Sequence, residues 1–275
     1  MKLSILFRNL CTSCLILAMF IVLIPSVNAA PNSVDVNIDD MDAALRERGY
    51  PQLYLDNTAP SAKESLYNQP DLIFDGGQIA IYDEDMHELE TYDLSNSGIS
   101  PMGQIPDADL TVTLSFSRNA TSKNVLVTCS YNWKKIPISR FQDALAVSWD
   151  NTKYSMVSGG FYKVDKYDGI TSDGKYVSGQ VNSEARNYAK SSACGVSWYA
   201  DLKGYTGFSA KALYGHGEFW LAPEYTNVGK STFHWHYVHS KVNLSLSINI
   251  PHVGSFSVSG AGSYDEMGNQ KSYTY

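Results

Sequence analysis

From residue 110 onward, apolar and polar side chains trade places one at a time. Leu110, Val112, Leu114 and Phe116 alternate with Thr111, Thr113, Ser115 and Ser117, and Val125, Val127, Cys129, Tyr131 and Trp133 repeat the rhythm. Successive side chains of a strand point to opposite faces, so a period of two marks a half-buried strand. The stretches ALAVSWD, KYSMVSGGFYKV, GVSWYADLKGY and EFWLAP read as further strands, with Asp168-Gly169 and Asp173-Gly174 as tight turns. Many short strands punctuated by turns predict a mainly β protein, an antiparallel β-sandwich or barrel. Its apolar positions share one interior while the hydroxyl and amide neighbours face water.

The period changes nearer the N-terminus. DDMDAALRERGYP places Asp at a helix start, Ala-Ala-Leu inside, and Gly49 and Pro51 as a stop. SAKESLYNQP repeats the scheme, with Ser61 as N-cap, Glu64 three residues on, and Pro70 at the end. Both are shorter than the ~12–15 residues that an isolated helix needs, so both must dock. IFDGGQIAIYDEDMHELETYDL predicts a hairpin turning at Asp-Glu-Asp, and SNSGISPMGQIPDAD reads as a linker. The expected division is a leader over 1–29, a small helical, acidic segment over 30–104, and an antiparallel β domain over 105–275.

The histidine-rich stretch FHWHYVHSKVNLSLSINIPHVGSFSVSG allows three readings. On a strand, His234 and His236 share one face, opposite Phe233, Trp235 and Tyr237, and His239 falls out of phase. A His-x-His pair is half a zinc site, which His216 or His252 would have to complete, and a strand with an aromatic core face explains the pair without metal. Val242, Leu244, Leu246, Ile248 and Ile250 then alternate with Asn243, Ser245, Ser247 and Asn249, with no charge between them. That is the length of a tilted transmembrane strand, with Phe256 and Val258 on its return, so these five are candidate membrane-facing residues. A soluble sheet requires the same alternation.

The chain's first residues set its address. Lys2 and Arg8 precede an apolar run from Cys14 to Ile24, too short to span a bilayer, and Val27-Asn28-Ala29 suits signal peptidase. The expectation is an exported protein starting at Ala30. Of the four cysteines, Cys129 and Cys194 remain after export, and in an oxidising compartment they pair most simply as one disulfide. Two buried thiols are the alternative.

Charge is uneven along the chain. Residues 31–100 hold 15 acids against Arg46, Arg48 and Lys63, a net −12, whereas residues 101–275 hold 13 acids and 16 bases, a net +3. No basic stripe neutralises phosphates, which disfavours nucleic acid as a partner. Gly-x-Ser-x-Gly and His-Glu-x-x-His are missing, no free Cys pairs with His, and Asp165, Asp168 and Asp173 lack the calcium-loop spacing. Glu218 and Asp201 are carboxylates of the kind glycosidases pair, but nothing in the sequence joins them. The expectation is a protein without catalysis or cofactor, whose Trp149, Trp198, Trp220 and Trp235 either fill the core or stack on sugar rings.

Three stretches carry a resemblance: MDAALRERGYPQLYLDNTAPSAKESLYNQP, YNWKKIPISRFQDALAVSWD and GSFSVSGAGSYDEMGNQKSYTY. Together the chain resembles the geobacillin-type large secreted bacteriocins of Gram-positive bacteria. The resemblance implies an extracellular antibacterial toxin released against related cells. On this reading its partner is the bacterial envelope, membrane or cell wall, with self-association on the membrane as a further expectation. It brings no catalytic residues and no mode of killing. The competing reading is a secreted non-catalytic β-sandwich module that binds a cell-wall or biofilm polysaccharide.

Overall fold

The described residues are mostly antiparallel β, with three short helices on one face. A computed structural model describes residues 38–94, 108–181, 189–202, 208–224, 229–242, 246–260 and 262–275. The expected leader, most of the linker, and Leu244 lie outside the described residues. Helix α1 (Ile38–Glu47) ends where Gly49 takes a left-handed φ of +87° and the Tyr50 amide returns to the Leu45 carbonyl at 3.1 Å. Only glycine adopts that conformation without penalty, and it closes the helix as expected. Helix α3 (Pro60–Tyr67) begins two residues earlier than the capping pattern suggested. Ala59 is its N-cap and Pro60 sits in its first turn, so the Ser61 hydroxyl is released for other use. Between them lies α2 (Gln52–Asn57), a six-residue helix that the propensities did not mark.

The strands are β1 (Leu72–Tyr82), β2 (Glu88–Leu94), β3 (Leu110–Asn119), β4 (Val125–Trp133), β5 (Gln142–Ser148), β6 (Tyr154–Thr171), β7 (Tyr176–Val181), β8 (Ala189–Ser192), β9 (Gly195–Asp201), β10 (Phe208–Pro223), β11 (Lys230–Ser240), β12 (Ser247–His252), β13 (Ser255–Ser259) and β14 (Tyr264–Thr274). They form a seven-stranded sheet ordered β2-β1-β3-β4-β10-β6-β7, a five-stranded sheet ordered β14-β11-β5-β9-β8, and the separate hairpin β12-β13. Neither large sheet closes on itself, so the architecture is a sandwich rather than a barrel. Leu114, Phe116, Val127 and Phe219 of the first sheet meet Leu145, Val147, Trp198 and Phe233 of the second in one core. Phe116 stacks on Tyr273 with ring centroids 4.6 Å apart.

The predicted alternation of β3 and β4 holds, but its polar half is not wet. Thr111, Thr113, Ser115 and Ser117 are fully buried beneath the helices. Tyr50 reaches Ser117 at 2.7 Å, Tyr54 reaches Ser115 at 2.9 Å, and Thr113 meets Ser130 at 2.7 Å. Burying a hydroxyl without a partner costs free energy, so this interface tolerates polarity because its groups are matched. A second apolar cluster, including Leu45, Leu55, Leu66, Phe74 and Ile79, seals the helices to the sheet.

The hairpin β1-β2 extends this same sheet, with β1 paired to β3 from Leu72–Asn119 to Tyr82–Leu110. Residues 38–275 accordingly make one compact unit, with no division near residue 105. The two ends of the unit also meet: Asp75 accepts from Arg118 at 2.9 Å and from the Tyr273 hydroxyl at 2.6 Å, and Gln78 donates to the Gln270 carbonyl at 3.2 Å. Among the described residues, no helix is long and apolar enough to cross a membrane.

Two local expectations are corrected. Asp173-Gly174 does turn the chain between β6 and β7, with Gly174 at φ +81°. Asp168-Gly169 instead runs on within β6, where Asp168 accepts from Ser178 at 2.9 Å, from the Gly179 amide at 2.7 Å and from Tyr214 at 3.1 Å. The single nine-residue strand over 242–250 is broken. β11 ends at Ser240, whose hydroxyl turns back to the Val242 carbonyl at 2.7 Å, and β12 starts afresh at Ser247.

Candidate binding groove on the outer sheet

The hairpin β12-β13 lies across the outer face of the five-stranded sheet. Leu246, Ile248 and Ile250 are buried there against Ala144, Ala146, Val238 and Cys194. In the folded chain these candidate membrane-facing side chains therefore cover a sheet, while Val242 is half-buried in the preceding turn. Ala144 and Ala146 alternate with Leu145 and Val147 of the main core, so the hairpin seals a second, outer core.

This placement also corrects the disulfide. Cys129 and Cys194 are both free and buried. Cys129 points into the main core, whereas Cys194 belongs to the outer cluster beneath the hairpin. The second sheet stands between the two clusters, and burial pushes the Cys129 thiol pKa far up.

Between the hairpin and β11/β14 runs an open groove of about 560 Å³, lined by His234, His236, Phe256, Glu266, Gly268 and Gln270 among others. The dyad pattern did place His234 and His236 on one face, and that face is the floor of this groove. Two glycines let the imidazoles lie close to backbone. A Cβ on Gly254, at φ +70°, would meet the His234 ring at 2.9 Å, and a Cβ on Gly268 would meet His236 Nδ1 at 2.9 Å. The His236 ring stacks on Phe256 with centroids 5.0 Å apart and planes 12° from parallel, and its Nε2 lies 2.9 Å from Glu266. Desolvation lowers the pKa of both histidines, with Glu266 opposing it at His236, so both imidazoles are neutral at pH 7. A neutral imidazole offers one donor and one acceptor.

The other sequence candidates are scattered. Among the described residues, no group of three or more His, Cys, Asp or Glu is arranged to hold a metal. His239 is buried on Asp143 at 3.0 Å, and Asp143 also accepts from the Tyr237 hydroxyl at 2.5 Å. His252 is exposed at the end of β12. Asp165 is buried between Lys163 at 2.7 Å and Tyr131 at 2.9 Å. Trp149, Trp198 and Trp235 are core residues, and Trp220 packs partly buried against the helix cluster. Burial leaves the rings of Trp149, Trp198 and Trp235 no open face for a sugar.

A second polar cluster lies under α3. The Ser61 hydroxyl is 3.0 Å from His216 Nδ1, His216 Nε2 is 3.7 Å from Glu218, and Ser65 donates to Glu218 at 2.8 Å. The residue types suggest a nucleophile, base and acid, and all three are buried beneath the helix. Burial raises the Glu218 pKa to about 7 and lowers that of His216 to about 3, so the pair is neutral between those values. Asp201 stands in the other sheet, so the Glu218–Asp201 pairing does not form.

Alternation alone gives no weight to Phe256, Glu266, Gly254 or Gly268. The available sign was the spacing of Gly254 and Gly268 around an uncharged hairpin, since glycines inside strand patterns mark close approaches.

No family model matches the chain, and no curated protein sequence matches it. Among solved structures, the C-terminal domain of the Streptococcus agalactiae antigen I/II polypeptide BspA aligns at 7% identity and a TM-score of 0.33, covering 67% of this chain and 62% of that one. The C-terminal domain of the Streptococcus pyogenes antigen I/II-family protein AspA aligns at 8% identity and a TM-score of 0.30, covering 54% of each chain. The chain thus spans less than two thirds of the length of either domain. At these scores no activity or partner passes from those proteins to this one, and the fold rests on the chain's own sheets.

Proposed function

We propose that this chain is an exported, non-catalytic β-sandwich module that binds a polysaccharide of the cell wall or a biofilm through the groove at His234, His236 and Phe256. The observation that carries this reading is a cleft in which two neutral imidazoles, an aromatic ring, the Glu266 carboxylate and Gln270 converge outside the sandwich core. Sugar rings are recognised by such sets: planar polar groups pair with adjacent hydroxyls, and a ring face packs on C–H groups. Retention on purified peptidoglycan and on isolated wall polysaccharide tests it. Glu266→Gln, which keeps the shape, and Phe256→Ala are each expected to weaken retention at least tenfold. Unchanged retention of both variants removes the reading.

A second reading follows the resemblance to the large bacteriocins and assigns the chain to killing related Gram-positive cells at their membrane. It is supported by the uncharged hairpin and by the loop described next. Insertion through Leu246, Ile248 and Ile250 would require the hairpin to leave its seat on the sheet. Growth of related strains with purified protein at micromolar dose tests it, and uninhibited growth removes it.

A further inference from the structure

The connection between β4 and β5, residues 134–141, reads KKIPISRF. Ile136 packs against the main core, and Pro137 follows it. Ile138 is then lifted clear of the protein at 104% relative exposure, the most uncovered of the exposed large hydrophobic residues among those described. One isoleucine pins the loop and the next has no protein to cover it. Beside it opens a depression of about 680 Å³ lined by Ile136, Pro137, Ile138, Arg140 and Ile170 among others. Tyr176, paired with Ile170 across the β6-β7 hairpin, is 63% exposed at the same end.

The charges around this spike are mostly positive. Lys134 donates to the Asp56 carbonyl at 3.3 Å, Lys135 pairs with Asp109 at 2.6 Å, and Lys175 pairs with Asp173 at 2.9 Å. Arg140 is exposed and contributes a further positive charge. With Asp56 beside Lys134, four bases stand against three acids and leave this end positive on a chain whose net charge is −7. A chain of that overall sign is repelled by an anionic surface unless it approaches by a locally basic end.

We infer that the 134–141 loop is a docking surface for an anionic lipid bilayer, with Ile138 entering the acyl boundary and Arg140 and Lys134 meeting headgroup phosphates. This stands independently of the groove, which lies on the outer face of the five-stranded sheet. A single apolar spike with a few bases gives reversible attachment, in which neither part suffices alone. Each base near such a surface strengthens binding about fivefold, at roughly 1 kcal/mol per charge.

Co-sedimentation of the exported protein with vesicles of mixed phosphatidylglycerol and phosphatidylcholine, and of phosphatidylcholine alone, tests the inference. Binding is expected on the anionic vesicles only and is expected to weaken with salt. Ile138→Asp should weaken it at least tenfold and Arg140→Glu at least fivefold, with thermal unfolding unchanged because both side chains are exposed. Equal binding of wild type and Ile138→Asp overturns the inference, as does an absence of binding to either vesicle. A loss confined to Arg140→Glu, matched by binding to a soluble polyanion, would assign the loop to a charged polymer instead. Self-association without vesicles that Ile138→Asp abolishes would assign it to a second copy of the chain.

Discussion

The hydroxyls of Tyr54 and Ser115 lie 2.9 Å apart, both fully buried, at the seam between the helices and the seven-stranded sheet. Burial raises the pKa of the Tyr54 phenol to about 12, so it stays neutral and exchanges a hydrogen bond with the serine. Tyr54→Phe keeps the ring but strands the Ser115 hydroxyl. The expected loss is about 1–2 kcal/mol of unfolding free energy, measured by denaturant titration, and Tyr54→Phe combined with Ser115→Ala should recover part of it.

The pair under α3 gives a pH signature that single substitutions separate. Glu218 has a raised folded pKa, so its stabilising contribution is complete below the ordinary value of 4.5 and is lost as pH rises to about 7. His216 has a lowered folded pKa, so its contribution is complete above 6.5 and is lost as pH falls toward about 3. Between pH 4.5 and 6.5 the two slopes oppose each other, and the pair is expected to leave stability flat. Glu218→Gln should expose a fall in stability as pH drops through that window, and His216→Phe a rise, each about 1 kcal/mol per pH unit. Unfolding midpoints at four or five pH values check both signs, and parallel profiles would refute the assignment.

At Cys129 and Cys194, two thiols are expected rather than one cross-link. Intact mass after alkylation in denaturant should show two modified cysteines without prior reduction. The native protein should react at neither Cys129 nor Cys194, because both are buried. A mass two hydrogens lower would contradict the separation of the two clusters.

Gly254 seats the His234 ring at a left-handed backbone position, φ +70°. Gly254→Ala adds both strain and a clash, and is expected to cost about 1–2 kcal/mol and to lift the hairpin from the groove floor. Amide hydrogen exchange localised to β12 and β13 measures this directly.

Much of the sandwich was legible because Leu110 to Phe116 and Val125 to Trp133 keep strict alternation, and alternation is a covalent property of extended backbone. What faced the other side was not legible. Thr111 to Ser117 read as wet because short hydroxyl side chains usually are, and only the docking of Tyr50 and Tyr54 makes them interior. The break after Ser240 was hidden for a similar reason: an apolar–polar rhythm passes unchanged through a turn made by one serine hydroxyl. The groove was legible only in part. His234 and His236 fell on a common face as expected, but Phe256 and Glu266 reach them through register between separate hairpins, and local pattern carries no register across such distances.

Asp75 waits for Tyr273, and Gln78 for Gln270, across nearly the whole length of the unit. A polypeptide made from its N-terminus therefore cannot close β1 of the first sheet against β14 of the second until β14 itself is available. Such long-range closure slows folding and ties the finished shape to the presence of both strands. A prematurely terminated copy lacking β14 would leave β11 bare along one side and the wall of its sandwich open.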